Sequence, residues 1–133
     1  RRREGGRSQS SVSNRYAAES ATARHHAAQI AALRAAAAVV AARDRRDRSS
    51  SLGPVSLWDL LGRLTPELSE WARHFAVITR RMPLVESGRI RVSVREADDL
   101  LRDAEAFLAR AELVIGLPAR VDPTPRLAPV RSA

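Results

Sequence analysis

The chain has no cysteine, and that removes disulfides, zinc knuckles and thiol chemistry at once. It has no lysine either: all 23 basic residues are arginine. Arginine grips phosphates bidentately and stacks on bases. Richness in Ala, Arg, Leu and Val without Lys is also what a GC-rich coding bias produces, and that is the reading adopted. Only five aromatic residues are present, Tyr16, Trp58, Trp71, Phe75 and Phe107, so most of the core must come from Leu, Val, Ile and Ala. No run of about 18 apolar residues occurs, and no signal-peptide pattern opens the chain. A cytoplasmic location is the default expectation. At 133 residues the chain is expected to be one domain with a modest core.

The net charge of +8 is unevenly spread. Residues 1–15 carry +4 and residues 43–48 carry +2, whereas residues 49–117 carry −1. The folded body is therefore close to neutral. Basic tails and loops of this kind favour weak, salt-sensitive contact with polyanions. No aromatics are interleaved with them to offer base stacking. The expected contacts to RNA or DNA are Arg1, Arg2, Arg3 and Arg7 in the N-terminal tail and Arg43, Arg45, Arg46 and Arg48 in the loop.

What is present in strength is helical periodicity. Residues 24–43 read RHHAAQIAALRAAAAVVAAR, with a seam at Ile30, Leu33, Ala37 and Val40. Residues 93–117 read SVREADDLLRDAEAFLARAELVIGL, with a seam at Ala97, Leu101, Ala104, Leu108, Ala111 and Ile115. A third seam runs through Leu68, Trp71, Phe75, Ile78 and Met82. Spacing of three and four is the stripe of helices packed on helices, and the fold class is an all-α bundle of about four helices. Trp58, Leu61, Trp71, Phe75, Leu101, Phe107 and Leu108 are the expected core or interface residues. Four consecutive alanines at 35–38 would let another helix approach closely, which suggests a homodimer.

Residues 1–13 are polar and read as a disordered basic tail, residues 14–117 as the bundle, and residues 118–133 as a Pro-rich disordered tail. The first helix is expected to start between Asn14 and Ala23. Gly53 and Pro54 break the chain before a short helix, for which Ser56 and Asp59 make a capping-box pattern. Thr65 and Pro66 read as N-cap and first residue of the next helix, and Pro83 and Gly88 as its end. RIRVSV at 89–94 alternates like a strand but has no partner, so it reads as an extended connector. Ser93 and Glu96 form a capping box for the last helix, and Gly116 and Pro118 its end.

Three clusters could carry chemistry. His25 and His26 are adjacent, so they point about 100° apart on a helix and do not readily ligate one metal. His26, four residues before Ile30, is the one expected near the apolar seam. The acids Glu96, Asp98, Asp99, Asp103 and Glu105 crowd the start of a helix, where they suit the macrodipole and read as a solvated face. His74 lies off its seam, with no Ser or Asp arranged to activate it. No metal or cofactor is expected.

The stretches RHHAAQIAALRAAAAVVAAR, SLWDLLGRLTPELSEWARHFA and READDLLRDAEAFLARAE together resemble a small actinobacterial family of the HEPN superfamily, the higher-eukaryote and prokaryote nucleotide-binding helical domains. The resemblance covers about residues 24–115. It implies an up-and-down helical bundle that often dimerises. Many HEPN proteins are metal-independent ribonucleases, marked by an Arg followed after four to six residues by a His in a cleft between two protomers. In that chemistry Arg stabilises the phosphate and His transfers the proton. Here Arg24 matches the Arg, but Gln29 stands where the pattern places His, and Gln cannot titrate. The resemblance with this departure implies a non-catalytic binding or scaffolding module. The alternatives are an endoribonuclease using His25 or His26 with Arg24 in an altered geometry, and a purely structural dimer.

Overall fold

A computed structural model describes the backbone of residues 2–44 and 52–121 and the side chains of residues 9–44 and 52–116. It contains α1 (Arg2–Arg43), α2 (Pro54–Leu64), a 3-10 turn (Pro66–Leu68), α3 (Ser69–Glu86) and α4 (Val94–Val121). This is the all-α bundle that the periodicities imply, with no strand among the described residues. No described helix is long and apolar enough to cross a membrane.

Pairs of contacts fix the helix directions. His26 meets Glu86, Gln29 meets Thr79 and Arg43 meets Glu67, so α3 runs antiparallel to α1. His74 meets Asp103 and Arg81 meets Glu96, so α4 opposes α3 and runs parallel to α1. Trp58 meets Thr79, and Gly62 lies against Ala72, so α2 and α3 form an antiparallel hairpin. Alternation up and down therefore holds from α2 to α4. α2 itself runs parallel to α1.

The helix boundaries follow local chemistry, and several differ from expectation. α1 begins at Arg2, so helix extends through the stretch expected to be a disordered tail. α2 starts at Pro54, with Gly53 as N-cap and no side-chain cap, rather than at a Ser56–Asp59 box. Pro at the first helical position gives up an N–H that has no partner there anyway. Thr65 does not cap with its side chain; Pro66 opens a 3-10 turn, and α3 follows from Ser69. Pro83 lies inside α3, which continues to Glu86. Gly88 then ends it at φ +79°, as Gly88 N donates to Val85 O and Arg89 N to Leu84 O, a Schellman arrangement. The Ser93–Glu96 box is present: Glu96 N donates to Ser93 Oγ at 3.0 Å, and Ser93 Oγ lies 3.4 Å from Glu96 Oε1. α4 continues past Gly116 and Pro118 to Val121. Residues 122–133 lie outside the described residues.

The core is an aromatic cluster surrounded by aliphatics. Trp58 stacks on Phe75 at 5.1 Å, and Phe107 meets Phe75 at 5.3 Å and Trp58 at 5.6 Å. Trp58, Leu61, Phe75 and Phe107 are buried, and Trp71 and Leu108 pack against them at the edge. Leu101 is not core: it is 41% exposed. The inner face of α1 is Ala21, Ala28, Ala32, Ala36, Val39 and Val40, while Ile30, Leu33 and Ala37 are only partly buried. The inner face of α4 is Ala97, Ala104 and Ala111 with Leu100, Phe107 and Val114, and Ile115 turns outward. Alanine lets α1 and α4 lie close together, so the buried stripe is marked by small residues rather than by bulk. Val92, in the extended connector, is buried with Ala21 and Ala97.

Candidate functional site

Arg24, His25, His26 and Gln29 follow one another around a single stretch of α1, and the helix sends them to different neighbours. Five residues separate Arg24 from Gln29, about 140° around the axis at 3.6 residues per turn. Arg24 reaches α4 and donates from Nη1 to Asp98 Oδ1. Both side chains of that pair are partly solvated, so its contribution is about 0–1 kcal/mol. Gln29 points into the bundle, is completely buried, and donates from Nε2 to Thr79 Oγ1 on α3. Trp58 Nε1 donates to the same oxygen at 2.8 Å. The two groups that the family pattern would bring together are therefore turned apart.

His25, not His26, is the inward histidine. It is 8% exposed, whereas His26 lies out on the surface with Nδ1 3.8 Å from Glu86 Oε1. Burial lowers the pKa of His25; the Glu96 carboxylate opposes the shift, and Arg81 and His26 add to it. The shift favours the neutral imidazole over the charged one. Both histidines line a groove of about 540 Å³ between α1 and the end of α3, with Glu19, Thr22, Met82, Val85 and Glu86. Two carboxylates at this groove make it a poor place for a phosphate.

The acidic cluster forms links rather than a purely solvated face. Asp98 holds Arg24, Glu96 faces Arg81 at 3.9 Å, and Asp103 Oδ2 lies 2.8 Å from His74 Nε2. Asp99 takes Arg102 at 2.9 Å and Arg95 at 4.0 Å within α4. His74 also sits edge-on to Phe75 and Trp71, at the core edge. No group of three or more His, Cys, Asp or Glu among the described residues could hold a metal ion.

Of the basic residues expected to touch nucleic acid, Arg43 is described, and it is paired with Glu67 at 3.0 Å. Arg2, Arg3 and Arg7 fall on α1, but their side chains, like Arg1, Arg45, Arg46 and Arg48, lie outside the described residues. Sequence reasoning missed Thr79. A threonine one turn after Phe75, on the buried side of α3, is the signal that could have marked it as a polar partner in the core.

No curated protein and no solved structure matches the chain significantly. A sequence profile of the SAV_6107-like HEPN family matches residues 15–112, which takes in the groove, the aromatic core and all of the paired acids described above. The chain belongs to the SAV_6107-like HEPN family.

Proposed function

We propose that the chain is a non-catalytic HEPN module, a homodimer that binds or scaffolds and touches RNA or DNA through its basic segments. The observation that carries this reading is the position of Gln29. The residue where the nuclease pattern needs an acid–base group is an amide, fully buried and bonded to Thr79. Arg24, the other half of the pattern, is engaged with Asp98. A phosphodiester that approached Arg24 would find no titrating group on the Gln29 side.

A nuclease reading has one observation in its favour. Burial lowers the pKa of His25 beside an open groove, and a neutral imidazole is the form a general base needs. Glu19 and Glu86 at the same groove repel a phosphate, so binding without cleavage is the better account.

Binding to unstructured RNA and to DNA, measured across a salt series, tests the proposal. Weak affinity that falls steeply with salt is expected, because arginine contacts to phosphate release counterions. Replacing Arg45, Arg46 and Arg48 by Gln should flatten the slope. Tight, salt-insensitive, sequence-selective binding would contradict this reading and point to a readout surface on the bundle itself.

A further inference from the structure

A second groove, of about 220 Å³, runs between the outer sides of α2 and α3, apart from the one beside His25. Its floor is small and apolar: Gly62 lies against Ala72, and Ala76 follows one turn on. Along its α3 side stand Arg73, Val77 and Arg80, all exposed, at intervals of four and three. Arg63 lines the α2 side. The contact of Gly62 with Ala72 sets Arg63 at the Arg73 end, and the bond of Trp58 to Thr79 sets Asp59 at the Arg80 end.

Arg63, Arg73 and Arg80 are in no ion pair among the described residues, whereas Arg24, Arg43, Arg81 and Arg102 each face an acid. Their guanidinium forks suit an anion, and arginine is weakly enough hydrated to be covered by a partner. Val77, 56% exposed between two of them, asks for an apolar contact that a phosphate chain does not offer. Asp59 would repel a continuous polyanion laid along the groove. Trp58 is 1% exposed, so the groove presents no aromatic face for a base to stack on. The combination favours spaced carboxylates with an apolar residue between them over a nucleic acid.

We propose that this groove docks an acidic amphipathic helix of a partner protein. Arg73 and Arg80 are seven residues apart, about 10 Å along α3. A partner helix laid beside α3 matches them with acids at i and i+7 and meets Val77 with an apolar residue at i+3 or i+4, the spacing by which helices are read in grooves. Arg63 reaches the acid at the Arg73 end, and a basic or amide residue fits opposite Asp59. This rests on the binding-module reading above and gives it a protein partner, on a surface separate from the basic segments assigned to RNA or DNA.

The test uses the full-length protein and a fluorescein-labelled, alanine-based helical peptide with Glu at i, Leu at i+4 and Glu at i+7, followed by fluorescence anisotropy. The peptide should bind at least about 10-fold tighter than a scramble of the same composition, and Arg73→Gln/Arg80→Gln should remove about that factor, the sum of two exposed ion pairs. Val77→Asp should weaken binding at least as much. The far-UV circular dichroism of both variants should match the native protein, because the three residues lie on the surface. Equal affinity for peptide and scramble, or binding that survives in both variants, would overturn the proposal. So would polyuridylate binding that is lost in Arg73→Gln/Arg80→Gln, which would make the occupant a nucleic acid, or a change of oligomeric state in Val77→Asp, which would make it a second copy. Polyuridylate binding through Arg45, Arg46 and Arg48 without peptide binding would sink this proposal and leave the reading above standing.

Discussion

Gln29 and Thr79 join α1 to α3 inside the bundle, through a hydrogen bond from an amide with no access to solvent. Thr79 Oγ1 also receives the indole N–H of Trp58. The amide oxygen of Gln29 is buried without a partner. Position 29 is thus a structural node, and substitutions there act first on stability.

Gln29→Met keeps the volume and removes the unpartnered oxygen. Thr79 still accepts from Trp58, so the cost should stay below about 1 kcal/mol, since exchanging a partly satisfied polar group for an apolar one of similar shape is nearly neutral. Gln29→His places a second ring polar atom in the same space and should cost about 1–3 kcal/mol without creating nuclease activity. Urea denaturation of the two variants checks the ranking.

Phe75→Ala should cost about 3–5 kcal/mol, because the ring is fully buried against Trp58, Trp71 and Phe107. Leu101→Ala should change stability by no more than about 0.5 kcal/mol, because Leu101 is a surface residue of the bundle. Denaturant midpoints of the two variants test whether α3 and α4 are oriented as described. Equal losses would contradict it.

These two residues also show what the sequence could and could not tell. Helix existence, the Ser93–Glu96 box and the burial of Trp58, Phe75 and Phe107 were legible, because periodicity and capping are local. The rotation of each helix was not. In α1 the bulky residues Ile30 and Leu33 suggested the inner face, yet Ala28, Ala32 and Ala36 occupy it. Close approach of α4 selects small side chains, and apolar bulk alone does not reveal which stripe a neighbour will cover. In the candidate site, the exclusion of Gln29 from acid–base chemistry was legible from residue type. Its burial, its bond to Thr79 and the engagement of Arg24 by Asp98 depend on contacts 50 and 74 positions apart, and no local pattern announces them.

His25 gives the fold a pH dependence of known sign. Its pKa is lowered in the folded state from the ordinary 6.5, chiefly by burial, with Glu96, Arg81 and His26 as the neighbouring charges. Well above pH 6.5 the ring is neutral in the unfolded chain as well as in the folded one, and the full stability is present. As pH falls through 6.5 the unfolded chain takes up a proton that the folded chain resists, so stability is lost down to the folded pKa. His25→Gln should reduce this loss, measured as the denaturation midpoint between pH 7.5 and 5.5. An unchanged pH profile would show that the ring is not held neutral.

Incubation of the purified, full-length protein with unstructured RNA tests the central claim most directly. The account predicts no cleavage above background, and none in Gln29→His. Cleavage by the native protein that drops about 100-fold or more in His25→Ala or His26→Ala, the scale expected for loss of an acid–base group, would contradict it and place a working nuclease site beside the groove.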